Sequence, residues 1–133
     1  MTGIMRTWRR LERCERGAAA VEFALIALAL ILVSVGVIEF GRGLLLRNEL
    51  SFAADHGARK VLLDPTVEDS ALQDAIRSAL IQAQSELLVV TLGTETADGA
   101  QYRTIFLSYP LMLLIPGFSG ETISLSLSRR VPL

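Results

Sequence analysis

The sequence predicts an α+β fold: a long N-terminal helix, a second packed helix and a small antiparallel sheet of about three strands. Three observations predict it. Residues Ala18–Ile38 read AAAVEFALIALALILVSVGVI, with Glu22 as the single charge. Beyond them, apolar residues recur at three- and four-residue steps as far as Val61, the spacing of one helix face. From Leu87 onward β-rich and alternating segments replace that period.

Taken as a helix at ~1.5 Å rise per residue, Ala18–Ile38 is roughly 31 Å long, about the hydrocarbon thickness of a bilayer. Its uninterrupted part, Phe23–Ile38, would be only about 24 Å long, so it draws on the Ala18–Val21 side. Helical character then continues. Leu46, Leu50, Ala53, Ala54, Gly57, Ala58 and Val61 share one face, while Glu49, Asp55, Arg59 and Lys60 occupy much of the other. The small residues Ala53, Ala54, Gly57 and Ala58 are candidates for close packing against another helix or a sheet. No proline occurs between Ala18 and Leu63. One continuous helix, membrane-embedded below and amphipathic above, should therefore stop at Asp64-Pro65, because the residue before proline avoids helical geometry.

Thr66-Val-Glu-Asp69 resembles a capping box with Asp in the Glu position, and it signals a second helix. Leu72, Ala75, Ile76, Ala79, Leu80 and Ala83 give that helix an apolar stripe to about Gln84. Leu87–Leu92 and Tyr102–Tyr109 read as strands, with Asp98-Gly99 as a turn pair between them. Leu111–Ile115 lies between Pro110 and Pro116, which makes it a loop or an edge segment. Pro116-Gly117 and Ser119-Gly120 read as turns. In Glu121–Arg129, Ile123, Leu125 and Leu127 alternate with Thr122, Ser124, Ser126 and Ser128, the pattern of a strand with one wet face. The residues after Asp64 are too few to bury much core alone, so they should pack on the upper half of the long helix.

Composition narrows the function. With 133 residues, 51% of them hydrophobic, and a mean hydropathy of +0.45, the chain is too apolar for an ordinary soluble or disordered sequence. The net charge of −1 gives no global field for nucleic acid. One cysteine, Cys14, excludes an internal disulfide and a cysteine-based zinc cluster. One histidine, His56, argues against a His-ligated metal site or a Ser-His-Asp triad. The sequence carries no Gly-rich phosphate loop and no nucleophile elbow. Glu68, Asp69 and Asp74 belong to a helix start, where acids favour the dipole. The reading is a non-enzyme with no cofactor, no metal and no small-molecule substrate.

Charge is distributed unevenly. The first 17 residues carry Arg6, Arg9, Arg10, Arg13 and Arg16 against Glu12 and Glu15. The positive-inside rule then places residues 1–17 in the cytoplasm and residues 39–133 outside, with 18–38 in the bilayer between them. A cleaved secretory signal is the competing reading, with an apolar region at Phe23–Ile38 and a cut near Ser34–Gly41. Against it, Glu39-Phe-Gly-Arg-Gly-Leu-Leu-Leu-Arg47 reads as continuing helix and not as a small-residue release site.

A carboxylate at the edge of a membrane segment costs on the order of 2.5–3.5 kcal/mol if it is ionised and unpaired in hydrocarbon. One reading places Glu22 at the cytoplasmic interface, reaching water by snorkelling. The other comes from spacing: Glu22 is the fifth residue after Gly17, which follows a basic leader and precedes a long apolar stretch. This resembles the processing site of type IV prepilins. That resemblance implies cleavage by an inner-membrane aspartyl peptidase after Gly17, with Ala18 as the new N-terminus and Glu22 as the fifth mature residue. A carboxylate from one subunit can neutralise the new amine of the next, and any misregister leaves both charges unpaired. Glycine at the cut lets the backbone enter a tight protease groove.

Three blocks extend the likeness: Gly17-Ala-Ala-Ala-Val-Glu-Phe-Ala-Leu25, Ile38-Glu-Phe-Gly-Arg42 and Ala53-Ala-Asp-His-Gly-Ala-Arg59. Together they resemble TadE-like proteins, the minor pilin-like components of the tight-adherence (Flp) pilus system. Tyr102, Phe106, Tyr109-Pro110-Leu111, Ile115-Pro116-Gly117 and Leu125 to Arg129-Arg130 are similar to that family's tail. The resemblance implies a pilin-like fold and a pseudopilin needed for assembly of thin adhesive pili. Its implied partners are the prepilin peptidase, other pilus subunits, the inner-membrane assembly platform and membrane lipid. The implied location is the bacterial inner membrane, crossed once. Flp-type sites often carry tyrosine after the glutamate, and here Phe23 keeps the ring without the hydroxyl.

The remaining candidates have plainer readings. Glu39 and Arg42 are three apart on one helix face and are expected to pair as an anchor at the outer interface or as an assembly contact. His56 reads as a solvated histidine, and Arg129-Arg130 as the solvent-exposed end of a strand. A second function stays open: an uncleaved single-pass membrane protein whose exported domain binds another envelope component.

Overall fold

In a computed structural model, described over residues 15–113 and 122–133, the chain is α+β. The order is helix α1 (Glu15–Leu63), helix α2 (Asp69–Ser78), a 3₁₀ turn (Ser85–Leu87) and strands β1 (Val89–Ala97), β2 (Ala100–Met112) and β3 (Thr122–Pro132). The three strands form one antiparallel sheet in the order β1-β2-β3. Arg6, Arg9, Arg10, Arg13, Cys14, Ile115 and the expected turns at Pro116-Gly117 and Ser119-Gly120 lie outside the described residues.

The chain divides into two compact units at Ile38 and Glu39. In the first unit, the residues from Gly17 to Ile38 are helical and none is buried. Its most apolar stretch has a mean hydropathy of 2.7 and is long enough, by length and composition, to cross a membrane. The hydroxyl of Ser34 donates to the carbonyl oxygen of Leu30 at 2.8 Å, which satisfies it within the helix's own turn.

The second unit, Glu39–Leu133, has its own core. Helix α1 contributes Leu46, Leu50, Ala53, Ala54 and Val61, all buried. Leu72 and Ile76 come from α2, Ile105, Leu107 and Tyr109 from β2, and Val131 from β3. Val67 and Leu88 complete the core at the ends of the connections. Both periods are visible: α1 buries residues three and four apart, whereas β2 buries alternate residues and leaves Phe106 exposed. On β3 Leu125, Leu127, Arg129 and Val131 face inward, and Ser124, Ser126 and Ser128 form the wet face.

Helix α1 ends at Leu63, before Asp64-Pro65 as expected. The expected capping box does not form. Thr66 turns back on Asp64: its amide donates to Asp64 Oδ1 at 3.0 Å and its hydroxyl to the same oxygen at 2.7 Å. These bonds close a tight turn. Helix α2 therefore starts at Asp69 behind an extended Glu68 that makes no side-chain cap. It also stops at Ser78, short of the expected Gln84, because side chains from elsewhere in the unit take the backbone amides of residues 81–84.

Asp98-Gly99 makes the β1–β2 turn, with φ of 52° and 78°. Both central residues lie in the left-handed region and Ala97 pairs with Ala100, a two-residue hairpin of type I′ character. The strands are longer than expected. Strand β2 runs through Pro110 and Leu111 to Met112, where a loop or edge segment was expected. Proline is accommodated there because β1 has already ended: its last pair is Val89 with Ser108, and Pro110 has a neighbour only in β3, at Ser124.

Candidate functional site

The residues singled out by the sequence fall at three places on α1. At the first, Gly17, Ala18, Glu22 and Phe23 are all exposed on the helix of the first unit, and Phe23 is 74% exposed. Within one chain, then, the Glu22 carboxylate is open to a charge from outside it.

At the second, Glu39 and Arg42 pair as their spacing predicts. Arg42 Nη1 donates to both carboxylate oxygens of Glu39, at 3.0 and 2.9 Å. The environment is less symmetric than the spacing implies. Glu39 is only 6% exposed, the buried charged side chain among the described residues, while the Arg42 side chain keeps 41% exposure. A buried carboxylate without a cation would be strongly unfavourable, so Arg42 compensates a charge that the fold has taken out of water.

At the third, Ala53, Ala54 and Gly57 are buried and Ala58 is partly buried. Among the described glycines of α1, Gly57 is the one approached most closely. A Cβ there would stand 2.6 Å from Ile76 Cγ1 and 2.9 Å from its Cδ1, with Ile105 Cδ1 at 3.4 Å on the sheet side. Helix α2 and strand β2 therefore converge on the backbone of α1 at one glycine. Together with Gly57, Ala53 and Ala54 provide the flat strip that the packing requires.

One arrangement escaped the sequence reading. Glu49 Oε1 accepts the backbone amides of Ile81, Gln82 and Ala83, the latter two at 2.6 and 3.1 Å. The hydroxyl of Tyr109 accepts the next amide, Gln84, at 3.1 Å. Successive amides pointing at one centre form an anion-holding concavity, here filled by the protein's own carboxylate. Burial pushes the Glu49 carboxyl up, but the amides of Ala83, Gln82 and Ile81 together pull it down by more, leaving it below its ordinary value of 4.5. No local pattern signals this site, because the partners lie more than thirty positions away in the chain.

The strand-end arginines also differ from expectation. Arg129 does not simply end in solvent: its Nε donates to Asp55 Oδ1 at 2.8 Å and its Nη2 to Ser51 Oγ at 3.1 Å. Arg130 reaches Glu95 across the sheet at 3.1 Å, and Arg103 pairs with Asp69. His56 is exposed, as a solvated histidine should be. Among the described residues no group of three or more His, Cys, Asp or Glu side chains is placed to hold a metal ion. The polar chemistry of this unit holds its own elements together.

Comparison with known proteins adds one positive finding. Residues 17–59 match the family of TadE-like proteins. The match includes all three blocks on α1 and leaves out the sheet and the tail that resembles the same family. The chain matches no curated protein and no solved structure. The match and the apolar stretch that is long enough to cross a membrane fall on the same part of α1.

Proposed function

We propose that this chain is a minor pilin-like subunit, a pseudopilin, needed for assembly of Flp/Tad adhesive pili and processed by a prepilin peptidase after Gly17. The observation that carries the reading is the span of the TadE-like match. It opens at Gly17 and runs through Ala18, Glu22 and Phe23 into the helix that follows. In this reading residues 1–17 are a cytoplasmic leader, residues 18–38 lie in the inner membrane and residues 39–133 form the exported domain.

The chemistry follows from the new terminus. Hydrolysis after Gly17 converts the peptide nitrogen of Ala18 into an ammonium group at the head of an exposed apolar helix. In a bundle of such helices that charge has no water to face. Glu22, exposed on the same helix, supplies the opposite charge from a neighbouring subunit. A register that leaves the two apart costs several kcal/mol per unpaired ion, so the pair selects one axial stagger. The partners are accordingly the peptidase, other pilus subunits and the inner-membrane assembly platform.

Intact mass and N-terminal sequence of the protein from native membranes, with and without the matching peptidase, test the reading. A start at Ala18 that depends on the peptidase is the expected result. An uncut chain in both samples would instead support an uncleaved single-pass membrane protein whose exported domain binds another envelope component.

A further inference from the structure

The charge pair at Glu39 and Arg42 stands where an apolar helix would be expected to leave the membrane, yet the residues beyond it are again apolar. Phe40, Leu44 and Leu45 are exposed at 69%, 45% and 51%. Arg47 and Asn48 are the next polar side chains, and both are exposed. Other parts of the second unit bring apolar surface to the same place. Leu87 and Met112, exposed at 43% and 64%, line with Arg42 and Leu45 a hollow of about 370 Å³. That hollow is also lined by Glu49, Gln82 and Gln84, so the apolar exposure is on the helix side, and large exposed apolar side chains gathered beside an ion pair mark a contact with protein or lipid.

Length and charge decide between those two. As a helix at ~1.5 Å per residue, Phe23–Ile38 is about 24 Å long, short of a hydrocarbon core of ~30 Å. Phe23–Leu46 is roughly 36 Å long, enough to span it with some tilt. The obstacle to the longer span is the pair of charges within it. The fold removes that obstacle: Glu39 is buried, both its oxygens are held by Arg42 Nη1, and the Arg42 side chain, 41% exposed, has a long stem that can lie along the helix toward the headgroups.

We propose that the exported unit enters the bilayer by the first two turns of its helix, so that lipid covers Phe40, Leu44 and Leu45 and the membrane ends between Leu46 and Asn48, with Glu39–Arg42 as a closed ion pair within it. This rests on the reading of α1 as a membrane-spanning helix. The lipid-facing stretch is then set by Glu22 on one side and Arg47 on the other. The Ala18–Val21 turn is released from the hydrocarbon and lies at the interface, within reach of a peptidase.

Spin labels on single cysteines in the full chain, on a Cys14→Ser background, test this in phosphatidylethanolamine and phosphatidylglycerol vesicles. The labelled positions are Val33, Phe40, Leu44, Asn48 and Phe52. Collision with oxygen, which favours lipid, is compared with collision with a water-soluble nickel chelate present on both sides. Labels at 33, 40 and 44 should favour oxygen, and those at 48 and 52 should favour the chelate. A label at 33 that favours oxygen while 40 and 44 match 52 would overturn the inference and leave the membrane span intact. A label at 33 that favours the chelate would overturn the span itself. Arg42→Ala should move the transition back toward residue 38, and adding Glu39→Gln should return it to between 44 and 48. A transition that ignores Arg42→Ala would show that the pair does not admit the helix to the bilayer.

Discussion

Removing the Glu49 carboxylate should loosen one segment of the second unit and little else. In Glu49→Ala the amides of Ile81, Gln82 and Ala83 lose their shared acceptor. A hydrogen bond to a charged group contributes about 1.5–3 kcal/mol when it is shielded. Ile81 and Gln82 are exposed and recover water as an acceptor, so the half-buried Ala83 amide carries most of the net loss. Their sum is about 2 kcal/mol for Glu49→Ala and about 1 kcal/mol for Glu49→Gln, which keeps a neutral acceptor of roughly half the strength. The assay is amide hydrogen exchange of the full chain in micelles. About 2 kcal/mol corresponds to roughly thirtyfold faster exchange at residues 81–83. Gln84, held separately by Tyr109, should change less. Acid provides a second test. The folded carboxyl lies below its ordinary value of 4.5, so its contribution is fully present above that value and is lost as pH falls through the folded value. Glu49→Gln should lack that acid-dependent loosening. Unchanged exchange at 81–83 in Glu49→Ala would refute the reasoning.

Other substitutions probe other elements. Gly57→Val should destabilise by about 1–3 kcal/mol, because its side chain meets Ile76 and Ile105 in a filled site; thermal melting in micelles reads it. Gly57→Ala should cost less, since better helix propensity offsets part of the clash by about 1 kcal/mol. Gly99→Ala, at a φ of 78°, should cost about 1 kcal/mol and broaden the amide signals of the β1–β2 hairpin. Thr66→Val removes the hydroxyl bond that is the largest factor holding the Asp64 carboxyl below its ordinary 3.8, so a carboxyl NMR titration should move upward.

Local physics made much of this fold legible. The buried face of α1 from Leu46 to Val61, the stop at Asp64-Pro65, the Asp98-Gly99 turn and the alternation on β3 each follow from spacing or from one residue's backbone preference. The misreadings share a cause. Thr66 has the sequence neighbours of a cap, but its amide and hydroxyl both donate to Asp64 and draw it into a turn of its own. Helix α2 looked longer because its apolar stripe continues, but Glu49 and Tyr109 claim the amides that would have extended it. Pro110 looked like a strand end until the pairing showed that β1 stops two residues earlier. Among the site residues, the Glu39–Arg42 pair was legible at a spacing of three, whereas the burial of Glu39 was not, because spacing along a helix does not report exposure.

The sharing of α1 between an apolar stretch and a folded core also governs the order of events in biogenesis. Leu46, Leu50, Ala53, Ala54 and Val61 are synthesised before any of the surfaces that cover them. The strand that brings Val131 is made last among the elements of that core. A ribosome making this chain therefore presents a helix face that must wait, uncovered, while the sheet is still being made. A fragment cut at Asp64 would discard that face and have no core to fold around. A fragment that keeps the core of the second unit must begin upstream of Leu46, inside the same helix.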